Sequence, residues 1–365
     1  MSIRVIAFGE VMGRLSPQGF QRFAQVLPGS MDFTFGGGEA NVAVSLAQFG
    51  VEAAFVTALP DNPIGDACVN NIRGLGVDTT KIIRTKAGRL GLYYLEAGAN
   101  QRASNVVYDR DNSSVMLTPA ADYDWAGIFA GAAWFHTTGI TPALAENTAT
   151  AAIEAAKAAN AAGATVSCDL NFRKKLWNWQ PGTKPQALAE ATMRCLLPYV
   201  DVVIANEEDA EKVLGIKAEG ADVSGGKLNV AGYTEVAKEI VRQFPNVSTV
   251  AITLRESISA THNNWGGMIY DVASGQAYLA PLDADGNYAP YEIRDIVDRV
   301  GGGDSFGAGL IFALLTPGLD APATAIRYAV AASCLKHSIL GDFNYTTRSE
   351  VETLMGGDAS GRVNR

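Results

Sequence analysis

Short apolar runs recur along the chain, with helix-patterned stretches between them. Ile3–Phe8, Ala53–Thr57, Ala132–His136, Thr165–Asp169, Val200–Ala205 and Thr249–Leu254 are compact and mostly apolar. Strands buried on both faces read this way. The alanine-rich stretches Asn41–Phe49, Asn147–Ala162 and Tyr233–Phe244 lie between them and read as helices. Such alternation predicts a mostly parallel sheet covered by helices on both faces, a three-layer α/β/α sandwich. Ligands of such sheets gather at the carboxyl ends of the strands. The pattern predicts one domain over residues 1–356, with a frayed tail at 357–365.

Two segments break the alternation. Arg89–Glu96 and Ala103–Asp109 read as a hairpin across Ala97–Arg102. Arg14–Phe35 reads as non-helical, punctuated by Pro17, Gly19, Pro28 and Gly29. Together, residues 14–35 and 89–110 predict a small β-layer, a lid, beside the main sheet. A second hairpin is expected from Gly266–Asp271 and Gln276–Ala280 across Val272–Gly275. Gly215–Gly232 is polar and glycine-rich and reads as a surface insertion.

Composition narrows the class. Hydrophobic residues make up 48% of 365 and charged residues 18%, which suits a large packed core and not disorder. The formal net charge of −9 gives no drive toward nucleic acid or an anionic membrane. No stretch of about twenty apolar residues appears, and the start of the chain reads as a strand rather than a leader. A cytoplasmic protein is expected. Cys68, Cys168, Cys195 and Cys334 have neither metal-ligand nor redox spacing and are expected as buried free thiols. His136 sits in an apolar run and reads as a satisfied strand residue.

Two glycine clusters carry the chemistry. Asp298-Arg-Val-Gly301-Gly302-Gly303-Asp304 follows a strand-like run, Arg294–Val297, and leads into a helical apolar stretch. Glycines at a strand-to-helix turn leave N–H groups bare at a helix N-terminus, which is an anion site by geometry and dipole. An Asp at its end is placed to take a proton from a hydroxyl that attacks a phosphoryl group held there. A glycine turn with Asp304 as helix N-cap explains the same segment equally well on local physics. Gly36-Gly37-Gly38-Glu39-Ala40-Asn41 opens another helix and offers bare backbone and an amide to a polyhydroxy ligand, or is an ordinary helix start. Neither cluster is a G-x-G-x-x-G fingerprint or a Walker loop, and no H-R-D catalytic loop is present.

The two clusters, in this order and separation, resemble the PfkB/ribokinase family of sugar kinases, from Ile6-Ala-Phe-Gly-Glu10 to Gly341-Asp-Phe-Asn344. Within it the chain is similar to the 2-keto-3-deoxygluconate kinases. Gly9-Glu-Val-Met-Gly-Arg-Leu-Ser-Pro17, Gly91-Leu-Tyr-Tyr-Leu-Glu96, Asp169-Leu-Asn-Phe-Arg-Lys-Lys-Leu-Trp177 and Thr253-Leu-Arg-Glu-Ser257 carry that likeness. The resemblance implies a ribokinase-like fold, with phosphoryl transfer from ATP with Mg²⁺ to a sugar acid. It implies Asp304 as general base, with Gly301, Gly302 and Gly303 around the transferring phosphate. It places Gly36, Gly37, Asn41, Tyr94, Tyr108, Arg110 and Arg173 at the sugar. Arg173 stands just past the strand Thr165–Asp169, and its planar fork suits a carboxylate. Asn206, Thr253, Arg255, Ala332 and Lys336 fall on the nucleotide side, and Asp209 at the metal.

The chain departs from the family where Thr-Thr is usual after the first Asp and Arg299-Val300 stands, where Gly302 replaces Ala, and where Asp209 replaces Glu. Two readings stand beside this one: a kinase for a neutral sugar, such as fructose or ribose, or for a nucleoside, and a non-catalytic sugar-acid-binding regulator. An unpaired lid edge is a template for a second copy, so a homo-oligomer joined through the lid is a further reading.

Overall fold

The computed structural model describes residues 4–206, 208–217 and 230–361. All six expected strands form, at Arg4–Phe8, Glu52–Val56, Trp134–Thr138, Thr165–Asp169, Val202–Ala205 and Thr249–Ser259. They pair in parallel, in the order Glu52–Val56, Arg4–Phe8, Trp134–Thr138, Thr165–Asp169, Val202–Ala205, Thr249–Ser259. His262–Asp271 and Gln276–Ala280 then extend the sheet antiparallel, as the second expected hairpin.

Side-chain alternation builds two cores from one sheet. Ile6 and Phe8 point to one face and pack with Phe135, Val166 and Trp177. Val5 and Ala7 point to the other and pack with Phe55, Phe306 and Tyr328. The helix Glu146–Ala161 covers the first face; Gly38–Gln48, Gly302–Leu315 and Pro322–Lys336 cover the second. Layer order and sheet direction are therefore those the pattern predicted.

The predicted lid is a four-stranded sheet in the order Asp32–Gly36, Met12–Ser16, Gly91–Glu96, Asn105–Asp109. The hairpin pairs antiparallel with Tyr93 opposite Tyr108. Phe33 and Val107, on the two outer strands, are each about half exposed, at 45% and 49%. One correction applies inside Arg14–Phe35: Phe23–Val26 is a single helical turn. Another applies upstream of the second glycine cluster. The strand there is Tyr291–Ile293, and Arg294–Val297 is irregular, with Asp295 at φ 55°.

The polar insertion Gly215–Gly232 falls mostly outside the described residues, as does the end of the tail. All four cysteines are free; Cys68 and Cys168 are buried, but Cys195 is exposed on its helix, against expectation. His136 is a buried strand residue as expected but only half satisfied: its Nδ1 lies 2.8 Å from the Ser167 hydroxyl, its Nε2 has no partner among the described residues, and burial pushes its ring down to about 3. No described helix is long and apolar enough to cross a membrane.

Candidate active site

A cavity of about 540 Å³ opens where the parallel strands end, between the main sheet and the lid. Its floor is the glycine turn. Gly301 caps the helix Gly302–Leu315 in the left-handed region at φ 82°, and a Cβ there would run into the Asp342 carbonyl. The first intrahelical donor is the Ser305 N–H, bonded to the Gly301 carbonyl at 2.9 Å. The N–H groups of Gly302, Gly303 and Asp304 precede it and have no helical acceptor. Gly303 is exposed, and a Cβ there would meet nothing within 4 Å. Gly302 is buried instead, its carbonyl accepting from the Ser333 hydroxyl at 2.6 Å.

Asp304 stands half-buried at the end of this turn and lines the cavity. Burial pushes its carboxyl up to about 6, against a hydrogen bond from Asn41 that pulls it down. That bond, Asn41 Nδ2 to Asp304 Oδ2 at 2.6 Å, joins the two glycine clusters across 263 residues. The Asn41 Oδ1 accepts from the Gly37 N–H at 3.2 Å. Asn41 therefore lines the cavity and also aims Asp304. Gly36 does not line the cavity; a Cβ there would meet the Asp342 carboxylate.

Glu39, next to Asn41, is buried. Its Oε1 accepts from the Thr138 N–H, the Thr138 hydroxyl and the Thr141 hydroxyl at 3.1, 2.8 and 2.6 Å. Burial outweighs these bonds and pushes the carboxyl up to about 7.

The lid supplies the roof. In Gly91–Glu96 the alternation turns Tyr93 and Leu95 into the cavity. Tyr94 is a correction: it lies on the other face, edge-on to Phe23 at 6.4 Å between centroids. Adjacent strand residues cannot share a face, so only one of the two tyrosines can look inward. Tyr108 lines the cavity, with the Arg110 guanidinium 5.5 Å from its ring centre. Arg110 is buried, not solvated, and its Nε donates to Glu10 Oε2 at 2.8 Å. The Glu10 Oε1 is buried and has no partner among the described residues.

Arg173 lines the cavity from beyond the strand Thr165–Asp169 and is exposed. Among the described residues it makes no ion pair. Its charge is felt by Asp169, Asp209 and Asp304. Asp169 is pushed well up by burial and by the neighbouring Asp209 and Asp304.

On the nucleotide side, Asn206, Thr253 and Arg255 line the cavity. Ala332 and Lys336 do not and are corrections. Both are fully buried, Ala332 between helices and Lys336 with its Nζ donating to the Ile339 carbonyl at 3.0 Å. His337, one residue on, lines the cavity instead, its ring 4.9 Å from that of Trp265. Asp209 lines the cavity too, but its two oxygens accept from the Phe172 and Asn206 N–H groups at 3.0 and 3.1 Å. Among the described residues no three His, Cys, Asp or Glu gather as a metal cage.

Reading the sequence missed the groups that hold this site together. Arg14, on a lid strand, pairs with Asp298 at 2.7 Å and with Asp342 at 3.0 Å, and all three are buried. The Tyr93 hydroxyl reaches both Asp342 oxygens at 2.6 and 2.7 Å. The only sequence signal for Asp342 was its place in Gly341-Asp-Phe-Asn344, at the end of the family resemblance.

Comparison with known proteins bears on this geometry. Residues 2–260 match the model of the pfkB family carbohydrate kinase. The 2-dehydro-3-deoxygalactonokinase of Haloferax volcanii is 33% identical over 360 residues, covering 98% of this chain and 99% of its own. The crystal structure of 2-dehydro-3-deoxygluconokinase from Thermotoga maritima superposes with a TM-score of 0.87 at 46% identity, covering 97% of this chain and all of that one. The 2-dehydro-3-deoxygluconokinase of Bacillus subtilis is 24% identical over 316 residues, covering 86% of this chain and 84% of its own.

Proposed function

Because the chain belongs to the pfkB family of carbohydrate kinases, we propose that it transfers the γ-phosphoryl group of ATP to a 2-keto-3-deoxy sugar acid of the gluconate type, at its 6-hydroxyl. The observation that carries the sugar acid is Arg173, a guanidinium without an ion-pair partner among the described residues, in the same cavity as Asp304. A planar fork of donors recognises a carboxylate in a way no neutral sugar exploits. The buried, unpartnered Oε1 of Glu10 supports a polyhydroxy ligand, since a sugar hydroxyl is the donor it lacks. The two relatives named for galactonate and gluconate kinases differ in substrate configuration, and Arg173 does not distinguish them.

In this reading the sugar hydroxyl gives its proton to Asp304 while its oxygen forms a bond to the γ-phosphorus. The bond from that phosphorus to the bridging oxygen breaks, and ADP leaves with those electrons. The transition state is largely metaphosphate-like, so positioning and charge stabilisation dominate. The N–H groups of Gly302, Gly303 and Asp304 meet the charge on the phosphoryl oxygens. Asn41 holds Asp304 in line. Mg²⁺, when bound, neutralises phosphate charge. With both Asp209 oxygens already accepting backbone N–H groups and no cage of carboxylates among the described residues, the ion would be held mainly by the nucleotide's phosphates and water, with Asp209 as the carboxylate facing it. Closure of the lid would exclude water and suppress hydrolysis of ATP.

The test is Arg173→Ala, assayed on 2-keto-3-deoxygluconate and on fructose. A charge-assisted hydrogen bond is worth about 1.5–3 kcal/mol, so apparent sugar-acid affinity should fall about ten- to a hundredfold. The KM for ATP and any slow activity on fructose should hardly move. Equal losses on both sugars would make Arg173 structural and remove the support for a sugar acid.

A further inference from the structure

Arg299 stands where the family's usual pattern has a threonine, two residues before the glycine turn, and its surroundings are unusual for an arginine. It is half-buried and lines the cavity. Among the described residues it makes no ion pair. Its hydrogen bond to Asn263 Oδ1 is long, at 3.4 Å. Burial lowers its pKa, and the guanidinium of Arg255, which lines the same wall, acts on it in the same direction. Half-burying a cation beside a like charge is costly and is ordinarily relieved by an anion.

The wall around Arg299 carries an excess of donors. Asn263 and Trp265 alternate on one strand and both line the cavity, and Arg255 sits opposite Trp265 in the register. Asn263 is 1% and Trp265 5% exposed, yet neither the Asn263 Nδ2 nor the Trp265 Nε1 has an acceptor among the described residues. His337 closes the wall; burial pushes its ring down to about 4 against the bond to the Ser333 carbonyl, with Lys336, Arg299 and Arg255 adding to the fall. The Arg299 guanidinium, which makes no ion pair among the described residues, and the two orphaned N–H groups beside it make a wall built for phosphate oxygens.

We propose that Arg299 is a ligand for the phosphates behind the transferring one, the α,β-diphosphate of the nucleotide, and so sets the enzyme's preference for a di- or triphosphate. This rests on the kinase reading above. The transferring phosphate occupies the N–H groups at Gly302–Asp304. Arg299 precedes that turn on the same wall as Thr253 and Arg255, so it meets the next phosphate along the chain. Its planar fork can bridge two phosphate oxygens, which a threonine hydroxyl cannot.

The test compares the full-length parent with Arg299→Gln and Arg299→Lys. Glutamine keeps a donor for Asn263 without the charge, so the fold is expected to persist, which a thermal melt checks. Binding of ADP, adenosine and inorganic pyrophosphate is titrated calorimetrically at fixed ionic strength. In Arg299→Gln, ADP and pyrophosphate should weaken about ten- to a hundredfold, the scale of a charge-assisted bond, while adenosine stays unchanged. The KM for ATP should rise without a rise in the KM for sugar, and Arg299→Lys should recover part of the loss. Unchanged ADP binding, or equal losses for ADP and adenosine, would overturn the proposal. If the parent binds pyrophosphate through Arg299 but not ADP, the anion site stands and the nucleotide reading fails. If the parent binds neither, both fail.

Discussion

Asp304 combines a half-buried carboxyl, a donor from Asn41 and a position beside three unpaired N–H groups. Its carboxyl, pushed up to about 6, is ionised at neutral pH yet basic enough to share a proton in a transition state. Asp304→Asn should keep substrate binding while kcat falls at least about a hundredfold, the typical scale for a positioned base. In the proposed role the ionised form is the active one, so kcat/KM of the parent should fall below about pH 6 and level off above it. Glu39, pushed up to about 7, titrates nearby. Glu39→Gln should therefore retain the acid limb if it belongs to Asp304.

The same shift has a stability consequence. A folded pKa of about 6 against an ordinary 3.8 means the fold holds a proton that the unfolded chain has released between those values. That contribution is fully present below about 3.8 and is lost as pH rises through about 6. Asp304→Asn should therefore melt higher than the parent above pH 6, with the gain vanishing below about 3.8. A melt series showing a pH-independent difference would contradict the link. Much of this site was legible at the residue scale, because Asp304 follows glycines in a motif. Tyr93 was not: choosing between it and Tyr94 requires the phase of the strand, which two adjacent tyrosines do not reveal.

Elements were read most securely where an apolar run marks a buried strand, as in Val202–Ala205 and Thr249–Leu254; the polar continuation of the latter strand to Ser259 was not read. They were misread where geometry is irregular. Arg294–Val297 has strand-like composition but turns at Asp295, and Phe23–Val26 winds one turn between Pro17 and Pro28. The glycine turn itself separates two roles that the sequence shows as identical letters. Gly301 needs its positive φ and the close approach of the Asp342 carbonyl, whereas Gly303 opens onto the cavity. Gly301→Ala should destabilise by about 1–3 kcal/mol from the left-handed backbone alone, and by more from the clash. Gly303→Val should leave the melting temperature close to the parent's while impairing ATP kinetics, because its side chain projects where a phosphate must approach. Equal effects of the two substitutions on melting and on the KM for ATP would mean that the turn only connects strand to helix.

At the scale of the molecule, local pattern is least informative where distant segments meet. Nothing around Arg14 announces that it will reach Asp342, 328 residues away. Yet this contact joins the lid to the glycine turn: Arg14 leaves a lid strand, Asp298 accepts from the Val300 N–H at 3.0 Å, and the Asp342 carbonyl lies against Gly301. Buried ion pairs are weak evidence for stability, since a well-packed apolar replacement of the whole set can be neutral. Removing one partner is different, because it leaves charge buried without compensation, at about 3–5 kcal/mol. Arg14→Met should thus lower the unfolding free energy by that amount, read as a fall in the urea midpoint with the m-value unchanged. Added salt should not restore it, because the cluster is buried away from screening ions. Asp342→Asn in the same background should cost less than it does alone, since the aspartate no longer has its cation. The KM for ATP should rise in the folded fraction, because the turn loses the group that fixes Asp298 and Asp342. A loss below about 1 kcal/mol, additive with Asp342→Asn, would mean that lid and turn are held by packing and that the cluster does not couple them.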